Sequence, residues 1–204
     1  MRVGLTGGIA TGKTTVCRLF ATKGCQIIDA DEVAHQLLRR EYPGYAPVLQ
    51  AFGAEILDSA GEIDRSKLGN IVFADPAKLT QLNELLHPEV IRHILDKLSQ
   101  ITQEDPSRRV IVDASLMIES GFHREFDRLI LVTSTEGQQI LRLRSRNGLS
   151  EQQARRRIAL QMPLADKFRF AHYVIDNSGS LNQTSEQVDS IFEELDQSVW
   201  TRSH

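Results

Sequence analysis

The sequence predicts an α/β fold, a doubly wound parallel β-sheet with helices packed on both faces. Three observations carry that expectation. Several short segments are continuous runs of Val, Ile and Leu, as strands covered on both faces require: "RVIVDA" at 109–114, "DRLILVT" at 127–133 and "YVID" at 173–176. Stretches of helical spacing alternate with them, and parallel neighbours need such crossovers. The chain also begins with a short apolar strand, "MRVGLT", that runs into a glycine-containing turn and then into helical spacing.

Each element follows from its local pattern. After "MRVGLT", Thr14 to Lys23 reads as a helix closed by Gly24, and "CQIID" as a second strand ending at Asp29 and Asp31. From Glu32 to about Gln103 the character changes. "EVAHQLLRR", "APVLQAF", "RSKLGNIVF" and "AKLTQLNELLHPEVIRHILDKLSQI" are helical, divided by the turns "EYPGY", "DSAGEID" and "ADP". A long helical stretch between two strands reads as a subdomain inserted at the carboxyl edge of the sheet. The three later strands follow, and a last helix spans about Gln183 to Leu195. The polar tail "DQSVWTRSH" carries no visible chemistry, and there is no internal repeat.

Composition narrows the function classes. With 204 residues, 41% hydrophobic and 25% charged, the chain suits one compact domain with an inserted subdomain. A net charge of -3 argues against a general nucleic-acid or anionic-membrane binder. No apolar run approaches the roughly 18 residues needed to cross a bilayer. "MRVGLTGGIA" is too short and glycine-broken for a signal peptide. Cys17 and Cys25 have no metal-ligand spacing and no disulfide framework, so they read as small buried residues in a reducing compartment. A cytoplasmic protein, monomeric or weakly self-associating, is the expectation.

The turn after the first strand carries the chemistry. "GGIATGKT" fits G-x-x-x-x-G-K-[ST], with Gly7, Gly12, Lys13 and Thr14 in the fixed places. Backbone from Gly7 and Gly8 through Ile9, Ala10, Thr11 and Gly12 to Lys13, Thr14 and Thr15 would wrap a nucleotide's phosphates, its N–H groups facing their oxygens. The helix that follows adds its positive dipole end. Lys13 would reach the β- and γ-phosphates, and the Thr14 hydroxyl would ligate Mg²⁺. A P-loop serves GTPases, ATP-driven motors and small-molecule kinases alike. A GTPase usually carries an Asn-Lys-x-Asp base-reading motif, whereas the late strand here ends "LVTSTEG". The helical insertion and an arginine-rich helical pair suggest an acceptor-binding domain and a closing lid, which favours a kinase of a small molecule.

Two further clusters accompany the motif. Asp29 and Asp31 stand two residues apart past a strand terminus, on the edge where doubly wound folds bind ligands. Two roles stay open: a carboxylate that takes a hydroxyl proton or helps hold Mg²⁺, and a helix N-cap in which Asp31 precedes "EVAHQLL". "QQILRLRSRNGLSEQQARRRIALQ" carries six arginines; Arg142 and Arg146 share one helical face, as do Arg157 and Gln161. Arginines converging on a triphosphate would neutralise a migrating phosphoryl group. The alternative is a solvated hairpin with Glu136 and Glu151 as charge partners, and most of the six fit it.

Together, "VGLTGGIATGKTTV", "IIDADEVAHQLL", "EIDRSKLGNIVF", "LLHPEVI" and "RIALQMPLADKFRFAHYVIDNSGS" closely resemble the dephospho-coenzyme A kinases, P-loop kinase-like enzymes. The resemblance runs from about Arg2 to Ser180. It implies ATP-dependent, Mg²⁺-requiring phosphorylation of the ribose 3′-hydroxyl of dephospho-coenzyme A, the last step of coenzyme A synthesis. It also implies a core over 1–31, 104–134 and 168–204, a helical coenzyme A-binding insertion over 32–103 and a lid over 135–167. By it, Asp31 stands where the proposed general base stands, Arg65 and His87 face dephospho-coenzyme A, Arg142 and Arg146 belong to the lid, and Asn177 lies near the adenine. His87 precedes Pro88 at what reads as a helix junction, so capping competes with substrate contact there. Asp113 ends a strand as a Mg²⁺-assisting acid or a structural end-cap would. The chain departs from the family pattern twice: Ser115 stands where a proline is usual, and Asn147 where an aspartate often follows the second lid arginine. Rival readings are a kinase of another acceptor, such as a nucleoside monophosphate, and a nucleotide-dependent switch without acceptor chemistry.

Overall fold

A computed structural model of the chain describes residues 1–197. The sheet has five strands: β1 (Val3–Gly7), β2 (Gln26–Asp29), β3 (Val110–Asp113), β4 (Arg128–Thr133) and β5 (Tyr173–Asp176). Their order is β2-β3-β1-β4-β5 and every pairing is parallel. All five residues of β1 are buried, and Leu129 to Val132 of β4 are at most 2% exposed. The middle strands β1, β3 and β4 are mostly apolar, and helices α1 (Lys13–Thr22) and α9 (Leu181–Leu195) help cover the sheet, where Val16, Phe20, Val188 and Ile191 cluster with Leu5 and Ile130. The strand order reverses at β1, between β3 and β4. That crevice at the carboxyl ends is where this architecture receives ligands.

The described residues form two compact units, one of 1–29 with those from 101 onward and one of 30–100. The second holds α2 (Ala30–Leu37), α3 (Tyr45–Phe52), α4 (Arg65–Ala74) and most of α5 (Pro76–Glu104). Its own core gathers Leu38, Val48, Phe52, Ile56, Leu68, Val72 and Leu86. Asp64 caps α4, its carboxylate accepting from Ser66 N at 2.8 Å and Lys67 N at 3.1 Å.

One expectation fails here. His87–Pro88 is no helix junction, because α5 runs unbroken for 29 residues with Pro88 inside it. Proline removes one backbone bond and costs about 3 kcal/mol in a helix interior. Leu86, Val90, Ile94 and Leu98 recur every fourth residue and are all buried, and that continuous apolar stripe outweighs the penalty.

In the first unit, β4 leads into α6 (Glu136–Asn147), α7 (Glu151–Ala159) and the single turn α8 (Leu164–Lys167). Thr135 caps α6, Gly148 ends it in the left-handed region, and Ser150 with Gln153 forms a capping box on α7. Ile140, Leu143 and Ala154 make a small core of their own, against which Ile9 and Ala10 of the loop after β1 are packed. Residues 198–204, most of the polar tail and with it His204, lie outside the described residues.

Candidate active site

The loop from Gly7 to Thr15 leaves β1 at the strand-order reversal and ends in the first turn of α1. Its shape needs glycine at two points. Gly7 sits so close to β4 that a Cβ there would overlap the Val132 carbonyl oxygen. Gly12 has φ +95°, and a Cβ on it would overlap Nδ2 of Asn177. Ala10, at φ 59°, is the one non-glycine residue in the left-handed region among the described residues. Left-handed residues in a turn form the backbone concavity that binds anions. The first turn of α1 carries no acidic side chain of its own to offset its positive end.

The loop is gripped from behind through its carbonyls. Gly8 O accepts from the Thr11 hydroxyl at 2.9 Å, and Ile9 O from Gln139 Nε2 at 2.7 Å. The Arg142 guanidinium donates to Ala10 O at 3.1 Å and Thr11 O at 2.9 Å through one nitrogen, and to Asn177 O at 2.9 Å through the other. Asn177 Nδ2 adds a bond to Thr11 O at 2.8 Å, while its Oδ1 accepts from the buried Thr184 hydroxyl at 3.0 Å. With its carbonyls held, the loop is pre-shaped for an anion before one arrives. Gln161, just past α7, accepts from the Ile9 N–H at 2.6 Å. Gln161 and Gln139 also line a cavity of about 230 Å³ with Gly8, Ser134, Met162 and Leu164.

Lys13 Nζ donates to the Ser115 hydroxyl at 2.9 Å. Thr14 is exposed in the first turn of α1. Asp29 and Asp113 are register partners at the ends of β2 and β3, so two carboxylates sit side by side on the sheet's carboxyl edge. The Cys17 thiol donates to Asp113 Oδ2 at 3.5 Å. Burial, reinforced by that carboxylate, pushes the Cys17 thiol far above the ordinary range.

The arginines separate. Arg142 is half-buried on the loop. Arg146, one turn on, is exposed and donates to its neighbour's Asn147 Oδ1 at 3.1 Å, so no bond joins it to the loop. Arg155 fits the solvated reading, pairing with Glu136 at 2.5 Å and Glu151 at 2.8 Å.

The remaining expected residues belong to the second unit. Asp31 lies within the first turn of α2, where with Glu32 it complements the helix dipole, and not in the capping position before it. Arg65 opens α4 and lines a cavity of about 480 Å³ with Glu32, His35, Arg39, Glu41 and Glu62. His87 lies half-buried on α5, outside that lining.

Gln139 and Lys167 escaped the sequence reading, and Gln161 and Ser115 were noted there without the contacts they make with Ile9 and Lys13. Gln139 is detectable in principle, three residues before Arg142 and so on its face of α6. Lys167 carries no such signal: it is fully buried, ion-paired with Glu119 at 2.8 Å.

Comparison with known proteins converges on one group. The family model described as dephospho-CoA kinase matches residues 1–183. A dephospho-CoA kinase of Carboxydothermus hydrogenoformans is 41% identical over 200 residues, 98% of this chain and 97% of that protein. One of Aquifex aeolicus is 40% identical over 195 residues, covering 95% and 97%. A crystal structure from Thermus thermophilus superposes with a TM-score of 0.76 at 29% identity, covering 96% of this chain and 97% of that one. The P-loop at the strand-order reversal and the α6–α8 segment that grips it are thus set in a chain that matches one family along nearly all of its length, and this chain belongs to the dephospho-CoA kinase family.

Proposed function

We propose that this protein transfers the γ-phosphoryl group of ATP to the ribose 3′-hydroxyl of dephospho-coenzyme A, giving coenzyme A and ADP. Full-length similarity to dephospho-CoA kinases supports the substrate, and the pre-shaped P-loop is the observation that carries the chemistry. N–H groups of Gly8 to Thr15 bind the phosphates, with Ile9 giving up its bond to Gln161 when they do. Lys13 directs its ammonium at the β- and γ-phosphates. Arg142 acts first on the loop, fixing Ala10 and Thr11, while exposed Arg146 is available to swing toward the migrating charge as the lid closes. Asn177 belongs to the nucleotide side, where it supports the loop through the Thr11 carbonyl.

Hard oxygen donors suit Mg²⁺, which takes one or two protein ligands and completes its shell with phosphates and water. The exposed Thr14 hydroxyl fits that role, with Asp29 or Asp113 near the strand ends as an outer partner. Bound there, Mg²⁺ would neutralise charge on the phosphates.

Asp31 is assigned the acceptor hydroxyl, which it orients and whose proton it accepts. Arg65 and His87 serve the dephospho-coenzyme A side, and Arg65 lines one polar cavity with His35 and Arg39. The buried, free thiols of Cys17 and Cys25 suit the cytoplasm. The test is acceptor discrimination: kcat/KM for dephospho-coenzyme A should far exceed that for adenosine. Equal values would show that the helical unit does not read the pantetheine arm, and would remove this substrate assignment.

A further inference from the structure

Ser115 stands two residues past β3, and Lys13 Nζ donates to its hydroxyl at 2.9 Å. The two partners differ in mobility. Lys13 has a long, unbranched side chain that loses much rotamer entropy when held. Ser115 is anchored. Its carbonyl accepts from Lys167 Nζ at 3.3 Å, and the preceding Ala114 carbonyl accepts from the Thr6 hydroxyl at 2.8 Å. Lys167 is fully buried and paired with Glu119 at 2.8 Å, and the same Glu119 oxygen accepts the Met162 N–H at 3.1 Å. A buried ammonium cannot leave its partner without stranding a charge, so this network resists displacement.

An ammonium has three N–H donors. The bond to Ser115 uses one and leaves two for phosphate oxygens. We infer that Ser115 is a positioning residue, whose hydroxyl holds the Lys13 ammonium at the place the transferring phosphate requires. The inference rests on the reading that Lys13 contacts the phosphates. Because charge on those oxygens is best matched by a fixed donor during transfer, the loss on removing Ser115 falls on kcat more than on ATP affinity.

The test is a double-mutant cycle on Ser115 and Lys13, with phosphoryl transfer from radiolabelled ATP, ATP Kd and Tm measured for each variant. Ser115→Ala should lower kcat about tenfold, with Kd for ATP within about threefold of the parent and Tm nearly unchanged. Ser115→Thr, which keeps the hydroxyl, should restore most of the loss. In a Lys13→Ala background, Ser115→Ala should cost nothing further. The inference is overturned if Ser115→Ala turns over like the parent, if threonine fails to rescue, or if the loss is as large without Lys13. Normal turnover by Lys13→Ala alone would remove the P-loop reading itself, a result separate from these.

Discussion

The side-chain amide of Asn177 fills the space that a Cβ on Gly12 would need, and donates at 2.8 Å to the Thr11 carbonyl. Gly12→Ala therefore meets two penalties. A left-handed residue with a Cβ costs roughly 1–2 kcal/mol, and Asn177 must leave both Thr11 and Thr184. ATP binding should vanish in calorimetry and Tm should fall. An alanine variant that binds ATP normally would show the loop to be more plastic than this packing allows.

Arg142 and Arg146 share a helical face but not their bonding partners. Arg142→Gln leaves the Ala10, Thr11 and Asn177 carbonyls without their shared donor, so ATP Kd, kcat and Tm should all worsen. Arg146→Gln removes an exposed group bonded to Asn147, so Tm and ATP Kd should hold while kcat falls. The paired titrations check this; identical profiles for both variants would contradict it.

Lys167 and Glu119 form a structural pair beneath the site. Lys167→Met strands a carboxylate that is itself only 21% exposed, and should destabilise the protein by about 3 kcal/mol in urea titrations. Adding Glu119→Gln should recover part of that loss, since the unpaired charge then disappears.

The two thiols make stability depend on alkaline pH. Burial pushes Cys25 up to about 12 and Cys17 higher still, whereas thiols in the unfolded chain ionise near 8.5. Below that lower value both states are protonated and stability is undiminished. As pH rises from about 8.5 toward 12 only the unfolded chain loses these protons, so stability falls. Urea midpoints for the parent and for Cys25→Ala should separate less at pH 10 than at pH 7. Thiol reagents at pH 8 should modify neither residue in the folded protein.

The sheet was legible because strands covered on both faces leave unbroken Val, Ile and Leu runs, and Leu129 to Val132 is such a run. The P-loop was legible because its task fixes residue types at fixed spacing. What a helix face meets is not written in its spacing. Arg142 and Arg146 look equivalent in sequence, and only tertiary placement turns one onto the Thr11 carbonyl and the other to solvent. Pro88 misled for the opposite reason: a local breaker was overruled by the buried stripe Leu86, Val90, Ile94 and Leu98. Lys167 was hidden because nothing local distinguishes a buried lysine from an exposed one.

Asp31→Asn separates chemistry from folding. Within the first turn of α2 the carboxylate contributes about 0.3–1 kcal/mol through the helix dipole, so Tm should drop only slightly. Asparagine cannot accept a proton, and turnover should fall on the order of 100-fold with ATP Kd preserved. Full activity in Asp31→Asn, with Asp29→Asn inactive, would move the assignment to Asp29.

The most direct measurement follows ADP formation by the purified protein with ATP and Mg²⁺, with and without dephospho-coenzyme A, and identifies the product by phosphorus NMR. ADP should accumulate only when dephospho-coenzyme A is present, in equal amount with a new 3′-phosphate monoester. ATP consumption that proceeds at the same rate without the acceptor, or that leaves its 3′-hydroxyl unmodified, would contradict the assignment.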